Sequence, residues 1–398
     1  VNEQLGFIAE RELEVCYYYF NHHEKYFCDE LSKIPEVDFT FIQTQEMTSD
    51  RIKLGWGINI DTIKYCICSY KSSKEYNKAI DIANNADILL LGSAPYQFLK
   101  ERIRHNRLTF YIAERLFRNG LWHMLYPPTF ITVLKRFIIP GHLSNFYMLC
   151  ASGYTAADLY NIHTFTKKCF KWGHFVSTET PLKESSQNII KILWAGRMIP
   201  LKHPEYATMI ATHLKNRGIN FHLDIIGTGP LKESLKSNIL KHKLTANVNL
   251  LDSMPSKDIR QYMANADIYL FTSDFNEGWG AVLGEAMSAG CAVVASHGIG
   301  AVPFLVEHGK NGLIYQTGNS KDFERCVDML IDSENLRTQL GQSAKKTMNE
   351  LWNPQVAALR FVQIARSLLS KGYFIPYESG PLSMAPIIKN NWYRHDSI

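Results

Sequence analysis

Residues 275–315 read FNEGWGAVLGEAMSAGCAVVASHGIGAVPFLVEHGKNGLIY. Glu277 and Glu285 stand eight positions apart, with Gly278 and Gly280 between them. The apolar spacing in GAVLGEAMSAG predicts a helix that begins near Gly280 and stops at Gly290, a residue suited to a left-handed cap. Upstream, DIYLFTS reads as a strand, so Glu277 falls in the loop at a strand's C-terminal end, the ligand side of an open α/β sheet. The glycines bare the turn where the helix starts. The amides of Gly278, Trp279, Gly280, Ala281 and Val282 can then approach an anion closely, and the helix dipole adds a favourable field. Two carboxylates beside a phosphate would repel it, so they make sense as ligands for neutral hydroxyls on either side of a diphosphate. A nucleotide sugar has that order: ribose, diphosphate, hexose. The plain alternative is a helix-capping Glu277 and a surface Glu285.

Around this stretch, strand-like runs alternate with helical ones. KILWAG, HLDIIGTG, NVNLLDS, DIYLFTS, CAVVAS and GLIYQTG are each followed by a helix-patterned segment. Such alternation predicts a parallel sheet wound on both faces, a Rossmann-like domain. The first half alternates less cleanly through VCYYYFN, DFTFIQT, KYCICSY, ADILLLGS, LTFYIAE and FYMLCASG, which predicts a second α/β unit. The expected organisation is a Rossmann-like domain over 1–178, a polar linker at 179–188, and a nucleotide-sugar-binding Rossmann-like domain over 189–352. A C-terminal helix and tail over 353–398 are expected to return to the first domain, and the two domains to face each other across a cleft.

A chain of 398 residues with 46% hydrophobic and 20% charged content fills two such cores and lacks the bias of disorder. No stretch has the roughly twenty apolar residues of a membrane span. The start at Val1 resembles no signal peptide, so a cytoplasmic address is expected. The eight cysteines lie mostly in apolar runs. Cys66 and Cys68 form a C-x-C pair that no second pair or histidine completes into a zinc set, so they read as free thiols.

Between Leu99 and Pro140, eight basic residues face only Glu101 and Glu114, and aromatics such as Phe110, Trp122, Tyr126 and Phe130 lie among them. This suits an anionic membrane surface or a lipid-carried substrate as well as it suits a solvated helix face. Nucleic acid is disfavoured, since no nucleic-acid-binding motif accompanies the charge.

With Glu277 and Glu285 set in FNEGWGAVLGEAMSAGCAVVAS before GKNGLIY, the sequence resembles the retaining GT-B glycosyltransferases of family 4. WAGRMIPLKHPE is similar to that family's Gly-Arg…Lys segment, and LDIIGTGP to its next strand and turn. The first half, through YYYFNHHEKYFCDEL, LTFYIAERLF and LCASGYTAADLY…KWGHF, resembles a subgroup acting in bacterial surface-polysaccharide synthesis. The resemblance implies that Arg197 and Lys202, beside Gly196 and Gly227, hold the diphosphate. It implies that Glu285 binds ribose and that Glu277 binds the 3- or 4-hydroxyl of the sugar. Backbone at Ser253 and Met254 would frame the base, although Met254 reads equally as core. In the first domain, Asn21, His22, His23, Glu114 and Arg115 would meet acceptor or sugar. Family members often carry a histidine on one of these loops, where this chain has Glu114, and His23 reads equally as local packing at a helix start.

The implied reaction moves a hexose from a nucleotide-diphosphate sugar, UDP favoured over GDP, to a glycan or lipid-linked oligosaccharide. Breaking the bond to the diphosphate builds negative charge on the leaving group, which Arg197, Lys202 and the helix start would stabilise. The chain has no D-x-D pair, so no metal and no cofactor are expected. Peripheral contact with the membrane is expected. Three alternatives stay open: a sugar-nucleotide epimerase, a non-catalytic sugar-nucleotide-binding subunit, and a nicotinamide dehydrogenase. For the last, GTGPLK lacks the third glycine of the dinucleotide fingerprint.

Overall fold

The computed structural model describes residues 11–17, 19–49, 52, 57–118, 120–183 and 189–393. Two compact units emerge. The first takes residues up to Ala151, Thr155–His174 and Pro354–Ile387, and the second takes Ser152–Tyr154, Phe175–Asn353 and the chain from Ile388 onward. The crossing at His174 and Phe175 corrects the expected boundary after 178. Residues 175–183 of the expected junction group with the second unit, and 184–188 of the expected linker lie outside the described residues.

The first unit is built on β1 (Arg11–Tyr17), β2 (Val37–Gln43), β3 (Cys66–Cys68), β4 (Ile88–Leu91), β5 (Thr109–Ala113), β6 (Phe146–Cys150) and β7 (Cys169–Lys171). All seven pair in parallel in the order β3-β2-β1-β4-β5-β6-β7. Strands such as ILLL in β4 are buried along their whole length, as expected for a parallel sheet covered on both faces. Helix Ser73–Asn85 starts where the Ser72 side chain accepts from the Glu75 amide. Helix Pro354–Lys371 packs on this unit: the Phe361 ring lies 4.8 Å from Phe110 and 6.1 Å from Trp172, and Arg366 pairs with Glu36 at 3.1 Å. Pro354–Ile387 thus groups with the first unit, and the chain from Ile388 with the second.

The second unit holds β8 (Ile190–Ala195), β9 (Phe221–Ile226), β10 (Val248–Leu251), β11 (Ile268–Phe271), β12 (Ala292–Ser296) and β13 (Leu313–Tyr315) in the parallel order β10-β9-β8-β11-β12-β13. Ile192, Trp194, Leu223, Leu270 and Val294 fill its core. In each sheet the strand order reverses once, at β1/β4 and at β8/β11. At such a reversal the loops leaving the two central strands diverge to opposite faces, and the crevice left outside their C-terminal ends is the natural ligand position.

Candidate functional site

Arg197 and Lys202 leave β8, and Glu277 leaves β11, so the residues singled out from sequence in the second unit come from the two strands flanking its reversal. The β8 exit is backbone against backbone. A Cβ on Gly227 would stand 1.9 Å from the Gly196 carbonyl oxygen, and Gly227 has φ +148°, so only glycine permits this approach. The 3-10 turn Pro200–Lys202 is tied to the β11 exit by two bonds, the Asp274 amide to the Leu201 carbonyl at 3.0 Å and Thr272 Oγ1 to the Lys202 carbonyl at 2.6 Å, and Trp194 Nε1 of β8 donates to the same Thr272 Oγ1 at 2.8 Å. These bonds bring Lys202 Nζ into an ion pair with the Glu277 carboxylate, each side chain only 14% and 13% exposed. Arg197 is exposed, and its side chain makes no hydrogen bond or ion pair among the described residues.

After Glu277 the chain turns through Gly280 at φ +82°, where a Cβ would meet the Phe271 ring at 2.7 Å, and enters helix Val282–Ala289. Among the described residues, the amides of Gly278, Gly280, Ala281 and Val282 donate to no acceptor. These amides and Lys202 stand at the same C-terminal end of the sheet. The Trp279 side chain is 2% exposed and packs 6.0 Å from Trp352 and 6.2 Å from Phe304, so its ring belongs to the core and only its amide bears on the expected contact. Glu285, one turn into the helix, is half-buried, and that burial pushes its carboxyl up to about 7 against the pull of Arg260. Past β10, Ser253 is exposed and Met254 half-buried.

The β11 loop is backed by the C-terminal segment, a connection absent from the sequence reading. Trp392 Nε1 donates to Tyr154 Oη at 2.9 Å, and His297 Nε2 meets the Asn390 carbonyl at 2.9 Å. The Phe275 ring, two residues before Glu277, sits 5.1 Å from His297 and 5.7 Å from Tyr154.

The first unit has its own cavity at the C-terminal edge of its sheet, about 470 Å³ in volume, lined by Asn21, His23, Glu24, Glu114, Arg136 and His174 among others. Asn21 caps helix His22–Leu31 by accepting from the His23 amide at 2.8 Å. Burial, then the neighbouring His22 and His174, hold His23 well below the ordinary histidine range, so it is neutral. His174 is the residue that sequence reasoning missed. Its Nε2 lies 3.6 Å from Glu114 and its Nδ1 3.9 Å from Glu24. Burial opposes its charge, but the bond to Glu114 and the charges of Glu24 and Glu114 outweigh it and raise its pKa. The signal was present in KWGHF: a polar residue just beyond a short apolar run, the position from which every other lining loop starts. Glu114 also pairs with Arg118 at 2.5 Å, and Arg115 lies 3.8 Å from Asp158.

The basic segment is not one solvated face. Arg102 is fully buried and donates to the Ala83 and Ala86 carbonyls at 2.8 Å, to the Leu108 carbonyl, and to Thr109 Oγ1 at 2.9 Å. Arg107 donates to the Asn84 carbonyl at 2.7 Å, and Arg136 to the Ala94 carbonyl at 2.9 Å. All eight cysteines are free.

Residues 179–347 match the family model described as Glycosyl transferases group 1. Among curated relatives, the chain is 28% identical over 192 residues to the amylovoran biosynthesis glycosyltransferase AmsK of Erwinia amylovora, covering 47% of each chain. It is 26% identical over 171 residues to the D-inositol 3-phosphate glycosyltransferase of Pseudarthrobacter chlorophenolicus, covering 42% of this chain and 40% of the relative. The match spans about half the length of these relatives. Among solved structures, Anabaena Alr3699/HepE in complex with UDP superposes with a TM-score of 0.68 at 15% identity, covering 90% of this chain and all of that one. Sucrose-phosphate synthase from Thermosynechococcus elongatus superposes with a TM-score of 0.66 at 13% identity, covering 90% and 99%. The fold is that of GT-B structures such as Alr3699/HepE and sucrose-phosphate synthase, and residues 179–347 match the group 1 glycosyl transferase model.

Proposed function

We propose that this GT-B chain is a retaining glycosyltransferase of family 4 that moves a hexose from a nucleotide-diphosphate sugar to a glycan or lipid-linked oligosaccharide. The observation that carries the reading is the Lys202–Glu277 pair beside the open amides of Gly278, Gly280, Ala281 and Val282 at the β8/β11 reversal. In a nucleotide sugar the transferred ring is bonded directly to the diphosphate, so a hydroxyl ligand and a phosphate ligand must adjoin. Glu277 and Lys202 are such neighbours. UDP is the favoured nucleotide, since solved relatives of this fold include Alr3699/HepE with UDP and with UDP-glucose. A polysaccharide acceptor accords with the likeness to AmsK, named for amylovoran biosynthesis.

Charge dictates the chemistry. As the sugar–phosphate bond breaks, the diphosphate gains negative charge and the sugar becomes cation-like. Lys202, Arg197 and the amides at the start of helix Val282–Ala289 face the leaving group and stabilise that charge, while Glu277 orients the ring. Protein cations fill the role a divalent ion plays in other transferases, so the reaction is metal-independent. Glu285 takes the ribose hydroxyls, backbone at Ser253 and Met254 the base, and the cavity at Glu114 and His174 the acceptor. The enzyme would work in the cytoplasm, at the inner face of the membrane where a lipid-linked acceptor is presented.

The test is release of nucleotide from UDP-sugars and GDP-sugars, with and without acceptor and with chelator, alongside a thermal-shift screen. A donor at about a hundred times its dissociation constant adds roughly 2.7 kcal/mol of stability. Acceptor-dependent release that survives chelator supports the reading. If Glu285→Gln and Arg197→Ala both left turnover and nucleotide affinity unchanged, the donor site would lie elsewhere.

A further inference from the structure

Residues 121–139 expose an unusual density of apolar side chains. Leu121, Trp122, Leu125, Tyr126, Phe130 and Ile131 are 42%, 63%, 86%, 64%, 43% and 48% exposed, and Ile139 follows at 44%. They project from two short elements, the 3-10 turn Leu121–Leu125 and helix Pro127–Val133, which Val133 alone anchors from its buried position. Water gains nothing from such side chains, and scattered single leucines do not produce a run of this kind. Charge identifies what covers it. Between Glu114 and Asp158 the sequence holds no acidic residue; Arg118 and Arg115 pair with Glu114 and Asp158 at its two ends and Arg136 with the Ala94 carbonyl, while Lys135, inside the run, is exposed. Trp and Tyr beside Leu and Ile, with cations and no carboxylates, match the boundary between headgroups and acyl chains of an anionic bilayer. A protein partner would be expected to meet acids as well as bases at its rim.

We propose that residues 121–139 dock this protein onto an anionic lipid surface, with Trp122, Leu125 and Tyr126 entering the interface and Lys135 meeting lipid phosphates. No helix among the described residues is long and apolar enough to cross a membrane, so the contact lies in the plane of the interface. The next segment, Leu134–Ile138, carries Arg136 and Phe137 into the lining of the first unit's cavity. Docking would thereby set that cavity beside the lipid surface. Only this last consequence rests on the proposed transferase reading, since binding to lipid needs neither donor nor acceptor.

The experiment is flotation of the full chain with vesicles of phosphatidylcholine alone or with roughly a third phosphatidylglycerol, followed by size-exclusion chromatography without lipid. The anionic vesicles are expected to carry the protein up the gradient, and raising salt to release it. Trp122→Glu with Leu125→Glu is expected to cut partitioning by about tenfold or more. Leu240→Glu, a change at another exposed leucine in the second unit, is expected to leave it unchanged, and circular dichroism confirms that each variant folds. The proposal is overturned if the wild-type chain stays at the bottom with anionic vesicles, or if the double variant floats as well as it does. It is equally overturned if the double variant turns a dimer into a monomer, because the patch would then cover a second copy.

Discussion

The two sheets share one strand order and one place for a ligand, yet their C-terminal edges are furnished in opposite ways. At the β8/β11 reversal the chain presents backbone: Gly227 lies against the Gly196 carbonyl, the amides of Gly278 and Gly280 donate to no acceptor among the described residues, and Lys202 supplies charge. At the edge of the first sheet the chain presents side chains: Glu24, Glu114, His174 and Arg136 around a cavity of about 470 Å³. A compact anion is held best by amides at close range, which large side chains would block. A polyol needs donors and acceptors spaced around a wider volume. The scaffold fixes where a ligand sits, and the size of the residues at its edge fixes what charge it carries.

This contrast makes the units separable by mutation. Arg102→Ala would remove the buried donors that serve Ala83, Ala86, Leu108 and Thr109, and is expected to cost about 3–5 kcal/mol in urea unfolding. Its effect should stay in the first unit, so a donor nucleotide should still shift the remaining transition. A loss below about 1 kcal/mol would show that the arginine is dispensable to the packing. Lys202→Ala is the counterpart in the second unit. It is expected to lower kcat/KM by about a hundredfold or more, because it removes stabilisation of developing charge, and to lower the melting temperature as well, because Glu277 is left without its partner in a largely buried pair. Wild-type turnover in that variant would eliminate the anion site.

The second unit was open to reading because its functional groups are consecutive with its periodicity. Strand, bare turn, helix and glycine stop follow one another from Ile268 to Gly290, and each short-range signal agrees with the next. Six strands of the first unit were also marked by their apolar runs, but β7 is set among Lys167, Lys168 and Lys171, which break the apolar run, and it passed unnoticed. His174 went with it, since its partners Glu24 and Glu114 are distant in sequence and only the β1-β4-β5-β6-β7 order brings them together. Trp279 divides along the same line: the motif speaks only for its amide, while packing against Phe304 and Trp352 decides where its side chain goes. Arg102 shows the same limit for charge, because composition counts a cation without telling whether water or carbonyls surround it.

Glu285 permits a subtler distinction. Its carboxyl, ordinarily at 4.5, is pushed up to about 7 by burial in the folded chain. Below the ordinary value both states hold the proton. Between 4.5 and about 7 the unfolded chain releases it while the folded chain keeps it, so stability falls as pH rises through that window and levels off above it. The total change is about 3 kcal/mol. Glu285→Gln should flatten this slope, read as the difference in urea midpoint between acid and neutral pH. An unchanged slope would mean that the carboxyl is as well solvated in the folded protein as in the unfolded one.

His174 offers the smallest effect and the finest discrimination. Its raised pKa means that the imidazolium is stabilised between Glu24 and Glu114, a contribution fully present below the ordinary value of 6.5 and lost as pH rises through the folded value. The charged ring halves the net negative charge of the two carboxylates and fixes them, so that they can accept from an acceptor's hydroxyls with less mutual repulsion. His174→Gln is therefore expected to raise the acceptor KM by about tenfold at pH 6 and to leave the donor KM alone. Above the folded pKa the wild-type ring is neutral as well, so the two proteins should converge. A KM difference of constant size across that range would show that His174 fills space in the cavity and that its charge has no part in binding. A change in donor KM instead would place the histidine with the nucleotide sugar, and the division of labour between the two sheet edges would have to be redrawn.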